Sequence, residues 1–477
     1  MSNPYLPGWE YIPDGEPRVF GDRVYIYGSH DKPNSEAFCD FRLKVWSAPV
    51  DDPTRWTCHG DCYHTRADAD HPSDTGDWTD HALFAPDVVE KDGKYYLFAY
   101  IVGSIGCIAV SDHPEGPFRS LARFDARAAL EELKAHPEKY VEDPDKTDSK
   151  TNENGDPEER GTNLEIAIRD LEYPIMIDPG VLVDNDGKVY VYCGYLHSYM
   201  FEIDPDDMHT VIPGSYRKDI LKKGAPHEFF EACSPRKING TYYLIYSPRH
   251  CSRLAYATSD SPYGPFEYKG YLIDSGEGYP GGNDHGSVAC VNGQWYVFYH
   301  RMTNDTIMSR KGCAERLTLN PDGTFTTASM TSLGFEKALD PYREIKAEEA
   351  CVLKGGCFVA ERDIFTRPVI NICDGAVIGY KYFDFGEDYS NSTVSVCIET
   401  FGVGQTGEIH VMLDSEDGEE IGCGMILPND GILKIKLKPL TGEHAIFFVI
   451  KHGRTSWMKN AFEHRNLCSL NRFVFIK

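Results

Sequence analysis

The sequence is poor in positive charge. It contains 48 Lys and Arg residues against 74 Asp and Glu residues, which gives a formal net charge of −26. Such a chain repels the phosphates of nucleic acids and anionic lipid headgroups, and it offers no basic patch to attract them. Nucleic acids and membrane surfaces are therefore not expected partners. A neutral ligand such as a sugar is unaffected by this charge.

Long hydrophobic runs are also missing. No stretch reaches the 18 or so apolar residues of a membrane-spanning helix. The first residues, "MSNPYLPGWEYIPDGEP", show neither the basic start nor the apolar stretch of a secretory signal. The 15 cysteines are an odd number at irregular spacing, unlike the pattern of a disulfide-bonded secreted domain. These absences predict a cytoplasmic protein with reduced thiols.

A pattern that repeats along the chain is the main positive feature. Each copy has a polar first residue, a short strand pattern, a Gly-containing turn six to nine residues later and a second strand pattern rich in Tyr. The five copies begin at Asp14, Asp87, Asp178, Glu231 and His285. Asp-Gly and Asn-Gly pairs favour tight hairpin turns because Gly accepts positive φ, and the flanking β-branched and aromatic residues suit strands. Each copy is therefore predicted to be a β-hairpin.

Shorter strand patterns follow several hairpins, so that each repeat holds three or four strands. Five such repeats predict an all-β fold, a five-bladed β-propeller. In a propeller the first strand of each blade runs along the central channel, and equivalent positions of the blades meet near the axis. We therefore expect the four acidic residues and the one His at the starts of the repeats to share a small cavity.

At these positions the sequence resembles glycoside hydrolase family 43, whose fold is a five-bladed β-propeller with three catalytic carboxylates. The resemblance covers roughly residues 3–339. Carried over residue by residue, it implies Asp14 in "YIPDGEP" as the general base, Asp178 in "MIDPGVLVD" as the residue that tunes the pKa of the acid, and Glu231 in "FFEACSPRK" as the general acid.

Two of the three motifs depart from the family pattern. Asp14 lies between Pro and Gly where Ala-Asp-Pro is common, and Glu231 precedes Ala-Cys where Glu-Gly-Pro is common. Glu228 is the rival for the acid role; Glu231 is preferred because it lies nine residues before the turn Gly240, as Asp178 lies nine before Gly187. Every carboxylate is retained, which indicates a divergent subgroup.

A related clan of propeller enzymes that act on fructans retains configuration and is the alternative within this architecture. Its nucleophile lies in Asn-Asp-Pro-Asn, and Glu-Cys follows in a later blade. Here Ile177 precedes Asp178, and Ala232 follows Glu231. The fructan interpretation is therefore the less favoured one.

The chemistry of glycosidic cleavage explains the need for three carboxylates. An inverting enzyme needs one protonated acid at the leaving oxygen and one ionised base for water, about 6.5–9.5 Å apart. A third carboxylate beside the acid disfavours its ionised form by like-charge repulsion. Asp14 and Glu231, in different blades, fit the first two roles, and Asp178 fits the third.

Further residues are expected to contact the sugar, because they lie near the ends of the inner hairpins. These predicted substrate-binding residues are His30, Phe84, Asp87, His285 and Arg301. His285 also resembles the axial histidine that lies beside calcium in some family members, so that a structural calcium is left open there. The reaction itself requires no cofactor.

Two segments lie outside the repeats. The insertion at about 120–172 begins with a helical pattern over 126–133 and continues as a charged, weakly hydrophobic loop. After the propeller, predicted for residues 1–340, residues 346–477 show short strand patterns typical of a jelly-roll-like β-sandwich. This second domain resembles a family 6 carbohydrate-binding module.

Taken together, these features predict an exo-acting, inverting glycoside hydrolase that releases terminal α-L-arabinofuranose or β-D-xylose from plant-derived oligosaccharides. The alternatives are a related glycosidase with another sugar preference and a non-catalytic carbohydrate-binding propeller. Homo-oligomer formation is left open.

Overall fold

Each of the five repeats forms a four-stranded antiparallel sheet in the structure, a computed structural model of the chain. The residues described are 2–67, 69, 72–75, 78–103, 106–141, 145–146, 160–174, 176–222, 224, 227–388, 395–453 and 464–477. None of the helices in these ranges is long and apolar enough to cross a membrane.

The strands of each blade follow one another in chain order, and the first strands of neighbouring blades contact each other. Blade one contains β1 (Glu16–Phe20), β2 (Arg23–Tyr27), β3 (Arg42–Pro49) and β4 (Thr57–His64). Blade two contains β5 (Asp87–Lys91), β6 (Lys94–Ala99), β7 (Cys107–Ser111) and β8 (Arg119–Ala122). Blade three contains β9 (Gly180–Val183), β10 (Val189–Cys193), β11 (Tyr199–Ile203) and β12 (Arg217–Lys218). Blade four contains β13 (Phe229–Ile238), β14 (Thr241–Pro248), β15 (Arg253–Ser259) and β16 (Glu267–Asp274). Blade five contains β17 (Ser287–Val291), β18 (Gln294–Thr303), β19 (Thr306–Leu319) and β20 (Phe325–Thr326).

The N-terminal segment joins the first blade to the last. The Asn3 side chain donates to the Ala314 carbonyl oxygen at 2.9 Å and accepts from the Ala314 N–H at 2.9 Å. The Tyr5 ring is fully buried in a core that blades one and five share, between Ile26 and Phe298 among others. The ring of blades is therefore closed by residues from opposite ends of the propeller sequence.

The insertion contributes two helices, α1 (Arg127–Ala135) and α2 (Asn163–Glu172), which pack on the cores of blades two and three. The sequence pattern predicted the first helix, whereas the second lies in the part expected to be a loop. A signal for α2 was present: Thr162 and Glu165 form a capping box, and apolar residues follow at helical spacing. The rest of the charged loop, 147–159, lies outside the described residues.

Two facing sheets follow the propeller and form a β-sandwich. The six-stranded sheet contains β21 (Ile345–Lys346), β23 (Phe358–Val359), β24 (Val369–Ile372), β26 (Ser395–Gly402), β29 (Gly431–Lys436) and β31 (Cys468–Ile476). The five-stranded sheet has the order β22 (Val352–Lys354), β25 (Val377–Asp384), β30 (Glu443–Lys451), β27 (Gly407–Leu413) and β28 (Glu419–Ile426). The predicted all-β fold, a propeller followed by a sandwich, is confirmed. The predicted end of the propeller at residue 340 follows β20, and the predicted start of the sandwich at residue 346 falls within β21.

Candidate active site

A cavity of about 90 Å³ opens at one end of the propeller channel. A water molecule takes up about 30 Å³ of the liquid, so this volume corresponds to about three waters. Its lining residues are Asp14, Phe38, Cys39, Phe84, Ala85, Ile177, Asp178, Glu231, Asn283, His285 and Arg310. The three predicted catalytic carboxylates therefore face one small space.

Unusual backbone conformations aim these carboxylates into the cavity. Asp14 and Asp178, just before the first strands of blades one and three, have left-handed φ angles of 56° and 49°. Asp tolerates this region better than most residues because its short polar side chain can hydrogen-bond locally. Glu231 lies between two register shifts of the β13–β14 ladder, and the next residue, Ala232, has φ 69°. Such bulges often redirect a side chain next to an active site.

Glycine allows blades three and four to approach closely beside the cavity. A Cβ atom on Gly180 would lie 2.3 Å from the backbone oxygen of Cys233, a distance that no side chain can adopt. This approach lets the backbone N–H of Ala232 donate to the Asp178 carboxylate. Asp178 is thereby held against the residue that follows Glu231.

Asp14 is held in its ionised form. Burial alone would raise the pKa of its carboxyl, but the Arg310 guanidinium, which donates from Nη1 to Oδ1 at 2.7 Å, outweighs burial together with His300 and His285, and the pKa falls below the usual range of an Asp. Arg310 is itself fixed by Asp31, which accepts from Nε at 2.8 Å and from Nη2 at 3.1 Å. Asp14 is therefore a buried base beside a permanently charged partner, Arg310.

Asp178 and Glu231 show the opposite behaviour. Burial, together with the negative charges of Glu231 and Asp14, raises the pKa of Asp178 well above its usual range. Burial also raises the pKa of Glu231. The hydrogen bond from Asn283 lowers this pKa and the charge of Asp14 raises it, so that the pKa stays raised overall. Two close carboxyls of this kind titrate as a pair. The pair therefore retains a proton at a pH where ordinary carboxyls have lost theirs.

Two histidines connect the carboxylates. The Nε2 atom of His300 donates to the Asn283 carbonyl oxygen at 3.0 Å, since a carbonyl can only accept, and the amide of Asn283 donates to Glu231 at 2.5 Å. The Nδ1 atom of His300 then accepts from the Asp14 N–H at 3.4 Å. The other histidine, His285, lies with Nδ1 3.7 Å from both Asp14 and Asp178. Burial lowers the pKa of His285 to about 4, which favours a neutral ring.

Comparisons with known proteins place this geometry in a family. The family model for Glycosyl hydrolases family 43 matches residues 165–325. A xylosidase/arabinosidase of Thermoclostridium stercorarium is 34% identical over 436 residues, which cover 80% of this chain and 82% of that protein. The chain belongs to glycoside hydrolase family 43. It is therefore a glycosidase.

Two further comparisons extend over different parts of this family 43 chain. An arabinoxylan arabinofuranohydrolase of Bacillus subtilis is 26% identical, over 90% of this chain and 86% of that protein. A solved family 43 β-xylosidase/α-arabinofuranosidase from a compost microbial metagenome, in complex with xylotriose in a calcium-free form, matches with a TM-score of 0.51 and 26% identity. That match covers 69% of this chain and 97% of the solved one.

Within the family 43 enzyme, the structure brings five of the eight predicted site residues to the cavity. They are Asp14, Phe84, Asp178, Glu231 and His285. The rival acid Glu228 lines a different cavity, next to Arg249. The position of Glu228 in the fold therefore favours Glu231 for the acid role.

Asp87 does not reach the cavity, although it begins the second repeat. It is fully buried deeper in the channel, where Arg18 donates to both of its carboxylate oxygens at 2.9 Å and 2.5 Å. Arg236 pairs with Glu16 close by. We call Glu16, Arg18, Asp87 and Arg236 the axial cluster. Asp87 is corrected from substrate binding to a role in the scaffold, because Arg18 occupies its carboxylate.

Arg301 and His30 also lie away from the lining. Arg301 is buried beside Tyr299 and Glu315, with Nη2 2.7 Å from the Thr331 carbonyl oxygen. His30 lies with Nδ1 3.6 Å from Asp40. Both were predicted to contact substrate. Arg301 is corrected to a structural position, because neighbouring protein groups occupy its guanidinium. The substrate contact of His30 stays a prediction.

The residues that the sequence interpretation missed are Arg310, Asn283 and His300. Asn283 precedes the His285 motif by two residues, in "GGNDHGSV", so its proximity to the cavity could have been noticed. Arg310 had no such signal, because it lies in β19, the third strand of its blade.

The residues around His285 do not form a calcium cage. Calcium takes six to eight oxygen ligands. The imidazole of His285 faces two carboxylates, and Arg310 already neutralises one of these, Asp14. We therefore derive no step through a metal, and the calcium prediction for His285 stays a prediction.

Proposed function

We propose that this protein is an exo-acting glycosidase that inverts configuration and releases terminal α-L-arabinofuranose or β-D-xylose from oligosaccharides. The relatives named xylosidase/arabinosidase and arabinoxylan arabinofuranohydrolase support the pentose preference. The small volume of the cavity supports removal of terminal residues. The observation that carries the proposal is that one small cavity holds both a carboxyl of lowered pKa and a carboxyl of raised pKa.

Each carboxyl has a distinct role in this mechanism. Asp14 stays ionised beside Arg310 and removes a proton from a water molecule as that water attacks the anomeric carbon. Glu231, in a blade that is not adjacent to blade one, donates a proton to the leaving oxygen. Asp178 and Glu231 titrate as a coupled pair, so that Asp178 opposes the loss of the proton that Glu231 donates. Asn283 orients the Glu231 carboxyl, and His300 ties Asn283 to the Asp14 backbone.

The role of Glu231 is tested by comparing leaving groups. The Glu231→Gln variant is assayed on 4-nitrophenyl pentosides, whose leaving group needs little protonation, and on pentose-containing oligosaccharides, whose leaving group needs an acid. We expect a much larger loss of kcat on the oligosaccharides. Glu228→Gln is the matched control and should retain activity on both substrates.

Two results would contradict the proposal. If Glu228→Gln gave the leaving-group-dependent loss, the acid would be misassigned. If the parent protein bound oligosaccharides by calorimetry but left them intact after long incubation, the propeller would be a non-catalytic binder. The configuration of the first product, followed by NMR, tests inversion directly.

We also propose that the enzyme works inside the cell on imported oligosaccharides. All 15 cysteines are free thiols. Free thiols in this number support a reducing compartment. Fractionation of the source cells, with activity measured in each fraction, tests this proposal.

A further inference from the structure

A group of metal-binding side chains lies on the sandwich, on strands β27 and β28. His410 and Cys423 are directly opposite each other in the antiparallel ladder, and Glu408 precedes His410 by two residues. Since alternate residues of a strand share a face, all three side chains project from the same side of the sheet. Their ligand atoms lie within 4.8 Å of one another.

The distances within this group fit a tetrahedral metal site. His410 Nε2 is 3.2 Å from Glu408 Oε2 and 4.0 Å from Cys423 Sγ. With the usual bond lengths to zinc, tetrahedral geometry separates nitrogen from oxygen by roughly 3.4 Å and nitrogen from sulfur by roughly 3.6 Å. Both observed distances from His410 Nε2 therefore differ from the tetrahedral values by only a few tenths of an ångström.

The second ring nitrogen of His410 has the partner that a metal-binding histidine needs. Nδ1 lies 2.8 Å from Glu420 Oε2. A histidine ligand usually donates its other N–H to a carboxylate, which fixes the tautomer and orients the ring. With its proton on Nδ1, His410 presents the Nε2 lone pair toward Glu408 and Cys423. A cluster of acidic residues that binds no metal would not require one ring nitrogen of His410 to donate a hydrogen bond while the other presents a lone pair.

A metal ion binds cysteine as the thiolate, so the proton of the Cys423 thiol is released to solvent when the ion binds. Binding should therefore strengthen as the pH rises.

We propose that Glu408, His410 and Cys423 bind a divalent zinc ion, with Glu420 orienting His410 and water in the fourth position. The mixed oxygen, nitrogen and sulfur ligands suit a borderline-soft ion, in contrast to the oxygen ligands that calcium and magnesium prefer. The site lies at an edge of the five-stranded sheet, where β28 pairs with β27 alone among the strands that the structure describes. The ion would link this edge strand to its neighbour in the sheet. The zinc proposal does not depend on the proposed glycosidase function.

Metal titration of the full-length protein tests the site. Zinc binding is measured by calorimetry at several pH values, and cobalt is used as a spectroscopic probe because thiolate coordination gives a charge-transfer absorption. We expect one equivalent of zinc, tighter binding at higher pH, and a charge-transfer band with cobalt.

Variants separate this site from adventitious binding. Cys423→Ser should abolish the cobalt band and weaken zinc binding by about 100-fold or more, and Glu420→Gln should weaken it by about 10–100-fold. Cys290→Ser, at another exposed cysteine, is the matched control and should change neither. The proposal is overturned if Cys423→Ser binds zinc like the parent, or if the cobalt band disappears in Cys290→Ser.

Discussion

Two groups of buried charges lie along the channel of the propeller, and they differ in balance. The axial cluster pairs two carboxylates, Glu16 and Asp87, with two guanidinium groups, Arg18 and Arg236. At the open end, we call Asp14, Asp178, Glu231 and Arg310 the cavity cluster, in which three carboxylates share one guanidinium. Both groups come from the first strands of the blades or from residues that face them.

The ratio of carboxylates to guanidinium groups determines the protonation states in each cluster. In the axial cluster, Asp87 and Glu16 outweigh burial and raise the pKa of Arg18, so that it remains a permanent cation. Arg18 also donates to the Val181 carbonyl oxygen in blade three, and Arg236 donates to the Val288 carbonyl oxygen in blade five. Balanced charges thus join the blades. The surplus of carboxylates in the cavity cluster instead leaves one group ionised and another protonated, as acid–base catalysis needs.

The largest expected effect is the loss of the ionised base in the cavity cluster. Asp14→Asn should lower kcat/KM by about 10³-fold on aryl pentosides and oligosaccharides alike, because a good leaving group cannot replace an activated water. Steady-state kinetics measure the loss, and circular dichroism checks the fold. Activity within tenfold of the parent would assign the base elsewhere.

The corresponding change in the axial cluster should act on stability. Asp87→Asn leaves Arg18 buried without its main partner, and we expect the free energy of unfolding to fall by about 3–5 kcal/mol. Denaturant unfolding measures this fall, and kcat per folded molecule should be retained. A stable variant without activity would instead return Asp87 to the substrate-binding residues.

The third prediction concerns the pH profile. Asp178→Asn removes the carboxyl that titrates as a pair with Glu231, so that the pKa of Glu231 should fall. Because Glu231 must be protonated to act, the basic limb of kcat/KM against pH should move to lower pH. An unchanged limb would show that Asp178 does not influence the acid.

Glu231→Gln should change the stability of the fold by less than Asp87→Asn does. The change should also have the opposite sign, because the variant should be more stable than the parent. The pKa of Glu231 is raised in the folded protein, so its ionisation costs folding free energy as the pH rises above the ordinary Glu value of 4.5. Gln carries no such cost. Thermal unfolding should show the variant to be more stable than the parent near neutral pH, with the difference disappearing below pH 4.5.

The smallest expected effect is that of chelators on catalysis. EDTA should leave kcat and KM unchanged, because Arg310 supplies the positive charge beside Asp14. Dialysed enzyme with and without added calcium provides the measurement. An activity that depends on calcium would instead support the calcium prediction for His285.

The sequence was sufficient for the fold and the main carboxylates because both depend on local repeats. A polar residue at the start of a hairpin has a fixed place in a blade, and Asp14, Asp178 and Glu231 share that place. Asp87 shares it too. Its different role depends on Arg18, a partner 69 residues away that no repeat pattern indicates.

The choice between Arg301 and Arg310 shows a second limit. In the β18–β19 ladder Arg301 pairs with Lys311 and Met302 pairs with Arg310, so the two arginines lie on opposite faces. Both faces of these strands are buried over most of their length. Hydrophobic alternation, which would identify the inward face, is therefore absent.

The Asn3 contact with blade five has a consequence for synthesis on the ribosome. Asn3 is synthesised 311 residues before its hydrogen-bond partner Ala314. At about 5–20 residues per second, translation takes roughly 15–60 s to cover that interval. During this time the first blade exposes the apolar surface that blade five later covers. A nascent chain of this protein thus offers chaperones a binding site that disappears when the ring closes.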